Sequence, residues 1–302
     1  MLESVLRRIE ETKAQGRLLI HEPMARHTTF RVGGPADALF LADSEEAMIS
    51  VMEVCRETHT PMTFIGRGSN LIVRDKGIRG LVIAPGEGMA RMEREGDILT
   101  AGAGASLTAL SAEAARWGLS GLEFASGIPG SVGGGVAMNA GAYGGEIKDV
   151  LVDARVYMEG EIRTLNLQQM EMGYRSTLPL RAGAPVLSAR FRLAPGEREA
   201  IFQRMNELNQ RRRDKQPVNL PSAGSVFKRP EGYFAGTLIE QAGLKGRRIG
   251  DAQVSEKHAG FIVNVGQAKA EDILALIALI QREVKEKFSV SLQTEVRVLG
   301  EE

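Results

Sequence analysis

The sequence predicts an α+β fold built from more than one domain, on three observations. Strand-like apolar runs are short and numerous, with amphipathic helices between them. The 35 glycines gather in particular segments rather than spreading evenly. Composition shifts at "APGEREAIFQRMNELNQRRRDKQPVNLP" (194–221), where a helical, then basic, then proline-containing stretch marks a domain boundary at its start.

In chain order, the first helix is expected from Leu2 to about Gln15, with Leu2, Val5, Leu6 and Ile9 on one face. "ADALFLA" (36–42) reads as a strand. Asp43 or Ser44 then caps a helix over about Glu45–Thr58 that buries Ala47, Met48, Val51, Met52 and Cys55. "PMTFIG", "GLVIA" (80–84) and "ILTAGA" (98–103) read as further strands. Ser106 caps a helix over 107–117 that Gly118 ends. Beyond the glycine-rich block 127–145, strands are expected near 151–157, 161–165 and 186–193. A helix of about twelve residues opens the last part. There follow a strand "AGFIVNV" (259–265) and a helix with Ile273, Leu274, Ile277, Ile280, Val284 and Phe288 inward. In the terminal strand "VSLQTEVRVL" (290–299), alternation groups Val290, Leu292, Val296 and Val298 against Gln293, Glu295 and Arg297.

Composition removes several classes. The chain of 302 residues has a formal net charge of zero, so no global field points to nucleic acid or an acidic membrane. One cysteine, Cys55, excludes an intrachain disulfide and a cysteine-based zinc site. The four histidines (21, 27, 59 and 258) lack HExxH spacing, so no metal site is expected. The first residues, "MLESVLRRIEETKAQG", lack the apolar core of a signal peptide. No run approaches the roughly 20 apolar residues of a membrane span. The expectation is a cytoplasmic globular protein with no nucleic-acid or membrane partner. A monomer is compatible with the sequence, which does not set the oligomeric state.

Two glycine-rich segments follow strand-like runs: "IGRGSNLIV" (65–73) and "SGIPGSVGGGVAMNAGAYGG" (126–145). Glycine lets backbone N–H groups approach an anion closely, and successive N–H groups form an anion-binding nest. One such segment reads as ordinary turns; two long ones favour a diphosphate cradle. The dinucleotide fingerprint fails, because Leu71 and Leu107 stand where "GRGSNL" and "GAGASL" need a third glycine. No G-x-x-x-x-G-K-[ST] occurs either, so the diphosphate must be held another way.

"HTTFRVGGPAD" (27–37), "GRGSNLIVRDKGIRGLVI" (66–83) and "LSGLEFASGIPGSVGGGVAMNAGAYGGEIKDV" (119–150) resemble the UDP-N-acetylenolpyruvoylglucosamine reductase family. It belongs to a wider FAD superfamily that includes vanillyl-alcohol oxidase. With 217–264 and the terminal strand, the resemblance spans nearly the whole chain. It implies a two-lobed FAD-binding region over 1–193, with α+β lobes at about 1–80 and 81–193. A substrate-binding α+β domain over 194–302 returns Glu295 to the active site by its last strand. FAD contacts are implied at Gly66, Arg67, Gly68, Ser69, Asn70 and Leu71. In the second segment they are implied at Ile128, Pro129, Gly130, Ser131, Gly133, Gly134, Asn139 and Gly141. Covalent members of the superfamily carry a histidine near the first loop; Ser69 stands at about that place, so the FAD is expected to be non-covalent.

The resemblance also implies the reaction, in peptidoglycan precursor synthesis. NADPH gives a hydride to flavin N5, which passes to C3 of the enolpyruvyl group of UDP-N-acetylglucosamine-enolpyruvate. Protonation at C2 yields UDP-N-acetylmuramate. Such a site needs positive or hydrogen-bonding groups where carboxylate charge grows, and an acid for C2. Arg175 in "GYRST" fits the first need, since a guanidinium grips a carboxylate with two parallel bonds. Tyr174 would line the pocket. Ser225 in "LPSAGSVFKRP" matches the family's "AGS-x-F" serine as the acid, backed by Lys228 and Arg229. Glu295 becomes the partner of Arg175, polarising or protonating the developing enolate. Arg213 would meet the UDP diphosphate, and His258 the substrate.

Without the resemblance these residues have plainer readings. Tyr174-Arg175 is a solvated surface pair, Ser225 a turn serine, Glu295 a solvated strand residue, "RRRDK" (211–215) a solvated helix end and His258 structural. Arg229 stands where many members have Asn, and Thr294 where they have Pro. Only a few residues separate "GYRST" from the next strand, which implies the compact type without an extra lid loop. Two other functions stay open: a different FAD oxidoreductase of the superfamily, such as an alcohol or lactone oxidase, and a non-catalytic UDP-sugar-binding module.

Overall fold

The computed structural model describes residues 2–302. It divides into two compact units that interleave along the chain. The first comprises Met1–Ile20, Ala38–Arg67 and Gly80–Arg211; the second comprises His21–Asp37, Gly68–Arg79 and Arg212–Glu302. Both mix helices with short strands, as an α+β chain should.

The first unit contains two sheets. One runs in the order Gly16–Ile20, Ala36–Ala42, Ile78–Pro85, Met62–Phe64, and "ADALFLA" is its strand as expected. Helices Leu2–Glu11 and Glu45–Glu57 share a core with it, through Val5, Ile9, Met48, Val51, Met52, Cys55, Phe40, Leu81 and Ile83. The inward placement expected of Leu2 lies outside the described side chains. Ser44 rather than Asp43 caps the second helix, its Oγ accepting from Ala47 N–H at 3.1 Å. Glu45 and Glu46 in the first turn complement the helix dipole.

The other sheet is antiparallel throughout, in the order Glu161–Asn166, Leu151–Met158, Val186–Arg192, Ile98–Gly102, Met92–Glu95. Helix Leu107–Arg116 packs here, capped by Ser106 Oγ on Ala109 N–H at 3.0 Å. Gly118 follows it with φ +68. A short helix, Val132–Ala137, emerges inside the glycine-rich block. Leu107, Leu110, Val132, Val136, Leu99 and Phe191 form one buried cluster with it. Each fully buried side chain of this size contributes about 1.5–3 kcal/mol.

The second unit is organised around helix Ala270–Phe288. Ile273, Ile277, Ile280 and Val284 are buried, and Leu274 and Phe288 pack partly buried beside them. That spacing is the inward stripe of an amphipathic helix. It covers Val226, Phe227, Leu238, Ile239, Phe30 and Ile72. A three-stranded antiparallel sheet runs Arg248–Ile249, Ala252–Val254, Ile262–Asn264.

The structure departs from the expected elements in three places. The helix expected to run about twelve residues runs for 18, Arg198–Lys215, through the basic run. Ile201 and Met205 anchor it on Ala115, so residues up to Arg211 stay with the first unit. The composition break at 194 therefore marks a helix and not the start of a compact unit. Segments 21–37 and 68–79 join the C-terminal residues because Leu71–Val73 pairs in parallel with Arg297–Leu299. Asn264 Nδ2 also donates to Phe30 O at 3.1 Å. Lastly, the terminal strand is confined to Arg297–Leu299. Leu292 and Val296 are buried as expected, but Val298 is 36% exposed.

Candidate active site

In the first unit the two glycine-rich segments meet. A Cβ on Gly66 would lie 2.5 Å from Ser131 Oγ, so only glycine permits this approach. Ser131 caps helix Val132–Ala137 and accepts from Gly134 N–H at 3.3 Å. The glycines of the helix divide by role. A Cβ on Gly133 would lie 2.9 Å from Ala103 Cβ, and one on Gly135 2.7 Å from Leu107, so these two serve packing. Gly134 has only Ser131 Oγ near it, at 3.4 Å. Gly130 is held by its carbonyl, which accepts from Leu107 N–H at 3.0 Å. Ile128 packs partly buried on the core, Pro129 is exposed, and so is Arg67.

Asn139 behaves differently from a cradle residue. It is 1% exposed, with φ +43. Its Nδ2 donates to Glu146 Oε2 at 2.7 Å and to Gly173 O at 3.1 Å. Its Oδ1 accepts from Lys148 N–H at 3.0 Å. Gly173 and Ser176 exchange two backbone bonds, 2.8 and 3.3 Å, closing a tight turn with Tyr174 and Arg175 at its tip. Arg175 has φ +54 there. Its Nη1 donates to Asn139 O at 3.3 Å and its Nη2 to Gly141 O at 3.4 Å. Tyr174 is 53% exposed, with the Arg175 guanidinium 5.3 Å from its ring centre. The Lys148 hydrogen bond holds the Glu146 carboxyl below the usual carboxylate range; Asn139 and the charges of Lys148 and Arg175 add to this.

In the second unit, Gly68 turns with φ +62, and a Cβ on it would lie 1.9 Å from His27 O. Thr29 N–H donates to Gly68 O at 3.1 Å. Ser69 is half-buried and leads to Asn70, whose Nδ2 donates to Glu295 O at 3.1 Å. Leu71 opens the strand that pairs with Arg297.

Ser225 and Glu295 lie on adjoining backbone. Ser225 bridges Phe261 on one side. Glu295 N–H donates to Val226 O at 2.7 Å on the other, and Lys228 N–H to Gln293 O at 2.8 Å. Phe227 bridges Thr294, so the residue standing in place of proline takes part in this pairing. Ser225 is exposed and Glu295 half-buried. His258 packs between Gly236 and Gly260, with its ring edge-on to Phe261 at 5.0 Å. Burial pushes its pKa below the ordinary imidazole value. Arg229 places its guanidinium 4.0 Å from the centre of the exposed Phe234 ring. The carbonyl of Arg213 accepts from Lys257 Nζ.

The first unit's cradle fits a dinucleotide on its own evidence. Gly134 leaves backbone bare beside the close approach of Gly66 to Ser131, and Ser126 Oγ in the same glycine-rich segment as Gly134 is buried without a hydrogen-bond partner. A buried hydroxyl in that state calls for a ligand atom or water. Among the described residues no group of His, Cys, Asp or Glu could hold a metal ion, and no helix is long and apolar enough to cross a membrane.

Residues 216–299 match the C-terminal domain of UDP-N-acetylenolpyruvoylglucosamine reductase, and residues 35–166 match an FAD binding domain. The UDP-N-acetylenolpyruvoylglucosamine reductase of Agathobacter rectalis is 51% identical over 315 residues, covering 100% of both chains. The chain belongs to the UDP-N-acetylenolpyruvoylglucosamine reductase family. The crystal structure of the reductase from Thermus caldophilus superposes with a TM-score of 0.81 at 38% identity, covering 95% of this chain and 100% of that one. Alkyldihydroxyacetonephosphate synthase, at 16% identity, superposes with a TM-score of 0.51 over 65% of this chain and 41% of its own. That likeness is one of fold.

Against this reductase frame, two residues went unnoticed in the sequence. Glu146 closes the Asn139 cluster, and Phe234 carries Arg229. "GYF" (232–234), with two aromatics beside a glycine, was the visible signal for the second; Glu146 offered none.

Proposed function

We propose that this protein reduces the enolpyruvyl ether of UDP-N-acetylglucosamine-enolpyruvate to UDP-N-acetylmuramate, using NADPH and non-covalent FAD, in the cytoplasmic synthesis of peptidoglycan precursors. The observation that carries this reading is the end-to-end similarity to curated reductases, 51% identical over the full length of both chains. The residues of the cradle support it. In the first unit Gly66, Ser131, Gly134 and the hydroxyl of Ser126 would hold FAD. FAD, when bound, supplies the path by which two electrons pass from NADPH to C3 of the enolpyruvyl group.

The protein supplies charge, position and a proton. Arg175 grips the substrate carboxylate. Its Nη1 and Nη2 donate to the carbonyls of Asn139 and Gly141 at 3.3 and 3.4 Å, which orient the guanidinium, and a fork of five N–H donors can keep these bonds while adding charge-assisted ones to the carboxylate. The guanidinium stays charged throughout, so it stabilises the negative charge that spreads onto the carboxylate as C3 is reduced. Ser225 gives its hydroxyl proton to C2. Glu295, fixed through its backbone by Val226 and Asn70, partners the carboxylate end. Tyr174, Lys228, Arg229, Arg213 and His258 are the substrate contacts this reading calls for.

An anaerobic stopped-flow experiment tests this. NADPH should bleach the flavin absorbance, and the enolpyruvyl UDP-sugar added next should restore it. Flavin re-oxidised by simple alcohols instead would replace this reading with an oxidase.

A further inference from the structure

We propose that Asn139 and Glu146 are positioning residues for Arg175, together presetting the turn that displays its guanidinium. The proposal rests on the role of Arg175 given above.

Asn139 holds that turn at two points. Its Nδ2 donates to Gly173 O, the base of the turn, at 3.1 Å. Its own backbone carbonyl receives Arg175 Nη1, from the tip, at 3.3 Å. A single residue thus links the root of the turn to the head of its functional side chain. The second Nδ2 proton goes to Glu146 Oε2 at 2.7 Å, and Oδ1 takes the Lys148 N–H at 3.0 Å. Both amide protons are committed inside the protein, and the residue is 1% exposed. A ligand could use the side chain only by breaking buried bonds, which is costly. Position is therefore its function, rather than flavin contact.

Glu146 fixes the amide in turn. Its Oε2 also meets Lys148 Nζ at 3.0 Å, and its own N–H donates to Asp149 Oδ2 at 2.8 Å. The 141–146 hairpin returns this carboxylate to Asn139, and the same hairpin offers Gly141 O to Arg175 Nη2. Asn139 (φ +43) and Arg175 (φ +54) both occupy the left-handed region. Non-glycine residues stay there when the surroundings over-determine them, and this network does so. An arginine side chain has high rotamer freedom. Holding its backbone turn and two of its donors before substrate arrives lowers the ordering cost of gripping the carboxylate.

A double-mutant cycle between Asn139→Ala and Arg175→Ala tests the proposal, with each half-reaction followed by anaerobic stopped flow. Asn139→Ala should slow re-oxidation of the flavin by the enolpyruvyl UDP-sugar by about 10²-fold, the scale of a misplaced group. Reduction by NADPH should stay near wild type. The double variant should be no slower than Arg175→Ala alone, because Asn139 acts through Arg175. In the protein without flavin or substrate, hydrogen exchange at the Ser176 amide should lose protection in Asn139→Ala. Effects that multiply in the double variant, or an equal slowing of both half-reactions, would overturn the proposal and leave Asn139 a general structural residue. So would a normal second half-reaction in Asn139→Ala beside a slow Arg175→Ala. If Arg175→Ala is itself unimpaired, the carboxylate role of Arg175 is lost and the proposal with it. Where Asn139→Ala does not fold, Glu146→Gln takes its place in the same cycle and is judged by the same criteria.

Discussion

The side-chain amide of Asn70 donates to the backbone carbonyl of Glu295 at 3.1 Å, across 225 residues of sequence. The carbonyl of Asn70 accepts in return from Arg297 N–H at 3.0 Å. One residue of the first glycine-rich segment thus brackets Glu295, which lies just ahead of the terminal strand Arg297–Leu299 and not on it as expected. Asn70→Ala should cost about 1 kcal/mol, the net worth of one such bond. In a chain of this size that lowers the melting temperature by about 2 °C. It should also slow the step that uses Glu295. Calorimetry combined with single-turnover kinetics checks both, and a variant unchanged in both would remove Asn70 from the support of Glu295.

Ser225 is held through its backbone in a bridge to Phe261, so its hydroxyl can be removed without disturbing that bridge. Ser225→Ala should let NADPH bleach the flavin at the normal rate and block re-oxidation by substrate. Equal slowing of the two phases would argue against Ser225 as the proton donor. Arg175→Ala should lose on the order of 10²–10³ in the second phase, the scale of one lost oxyanion donor.

Neighbouring glycines should respond differently to a methyl group. In Gly66→Ala the new Cβ meets Ser131 Oγ and pushes the cap aside, so flavin titration by fluorescence should show an affinity weakened at least about tenfold, or 1.4 kcal/mol. Gly133→Ala meets Ala103 Cβ inside the core instead. It should lower stability by about 1–3 kcal/mol, the cost of overpacking, with a smaller effect on flavin affinity. The opposite ranking would reassign the two glycines.

His258 gives stability a pH dependence. Burial lowers its pKa in the folded protein, while the unfolded chain binds the proton near the ordinary value of about 6.5. Below about pH 6.5 the unfolded state is protonated first, so stability falls with falling pH until the folded pKa is passed. Gly260 N–H donates to Nδ1 at 3.1 Å, a bond that protonation of that nitrogen would break. Urea midpoints between pH 7.5 and 5 should fall for the wild type, and His258→Gln should flatten the slope. A parallel slope in the variant would assign the dependence to other groups.

Cys55 is fully buried in the core of the first sheet, and burial pushes its thiol up to about 11. A thiol-specific chromogenic reagent at pH 8 should find no reactive group in the native protein and one after unfolding in denaturant. Rapid modification in native buffer would mean that the core beneath helix Glu45–Glu57 opens readily.

Local signals carried much of the fold. "ADALFLA" is the strand Ala36–Ala42 because six apolar residues, broken only by Asp37, between turn signals leave few alternatives. Ser44 and Ser106 cap their helices because a hydroxyl there satisfies an orphan N–H. Helix Val132–Ala137 was hidden, since three glycines weaken helix propensity and read as turns. Tertiary packing overrides that preference, as Gly133 and Gly135 admit Ala103 and Leu107. Arg175, Ser225 and Glu295 were found through motif resemblance. The bonds that hold them were not legible, because Asn70–Glu295 and Asn139–Gly173 join side chains to backbone carbonyls, which every residue possesses.

The interleaving of the two compact units has a practical outcome. The chain crosses between them at 20/21, 37/38, 67/68, 79/80 and 211/212, so neither unit corresponds to one continuous gene fragment. Splitting the protein after residue 211 would strip strand Arg297–Leu299 from Leu71–Val73 and leave Phe30 and Ile72 without their neighbours. Such halves should be insoluble apart and should regain structure only when co-expressed. Exchanging the second unit with that of a relative requires grafting all three stretches together.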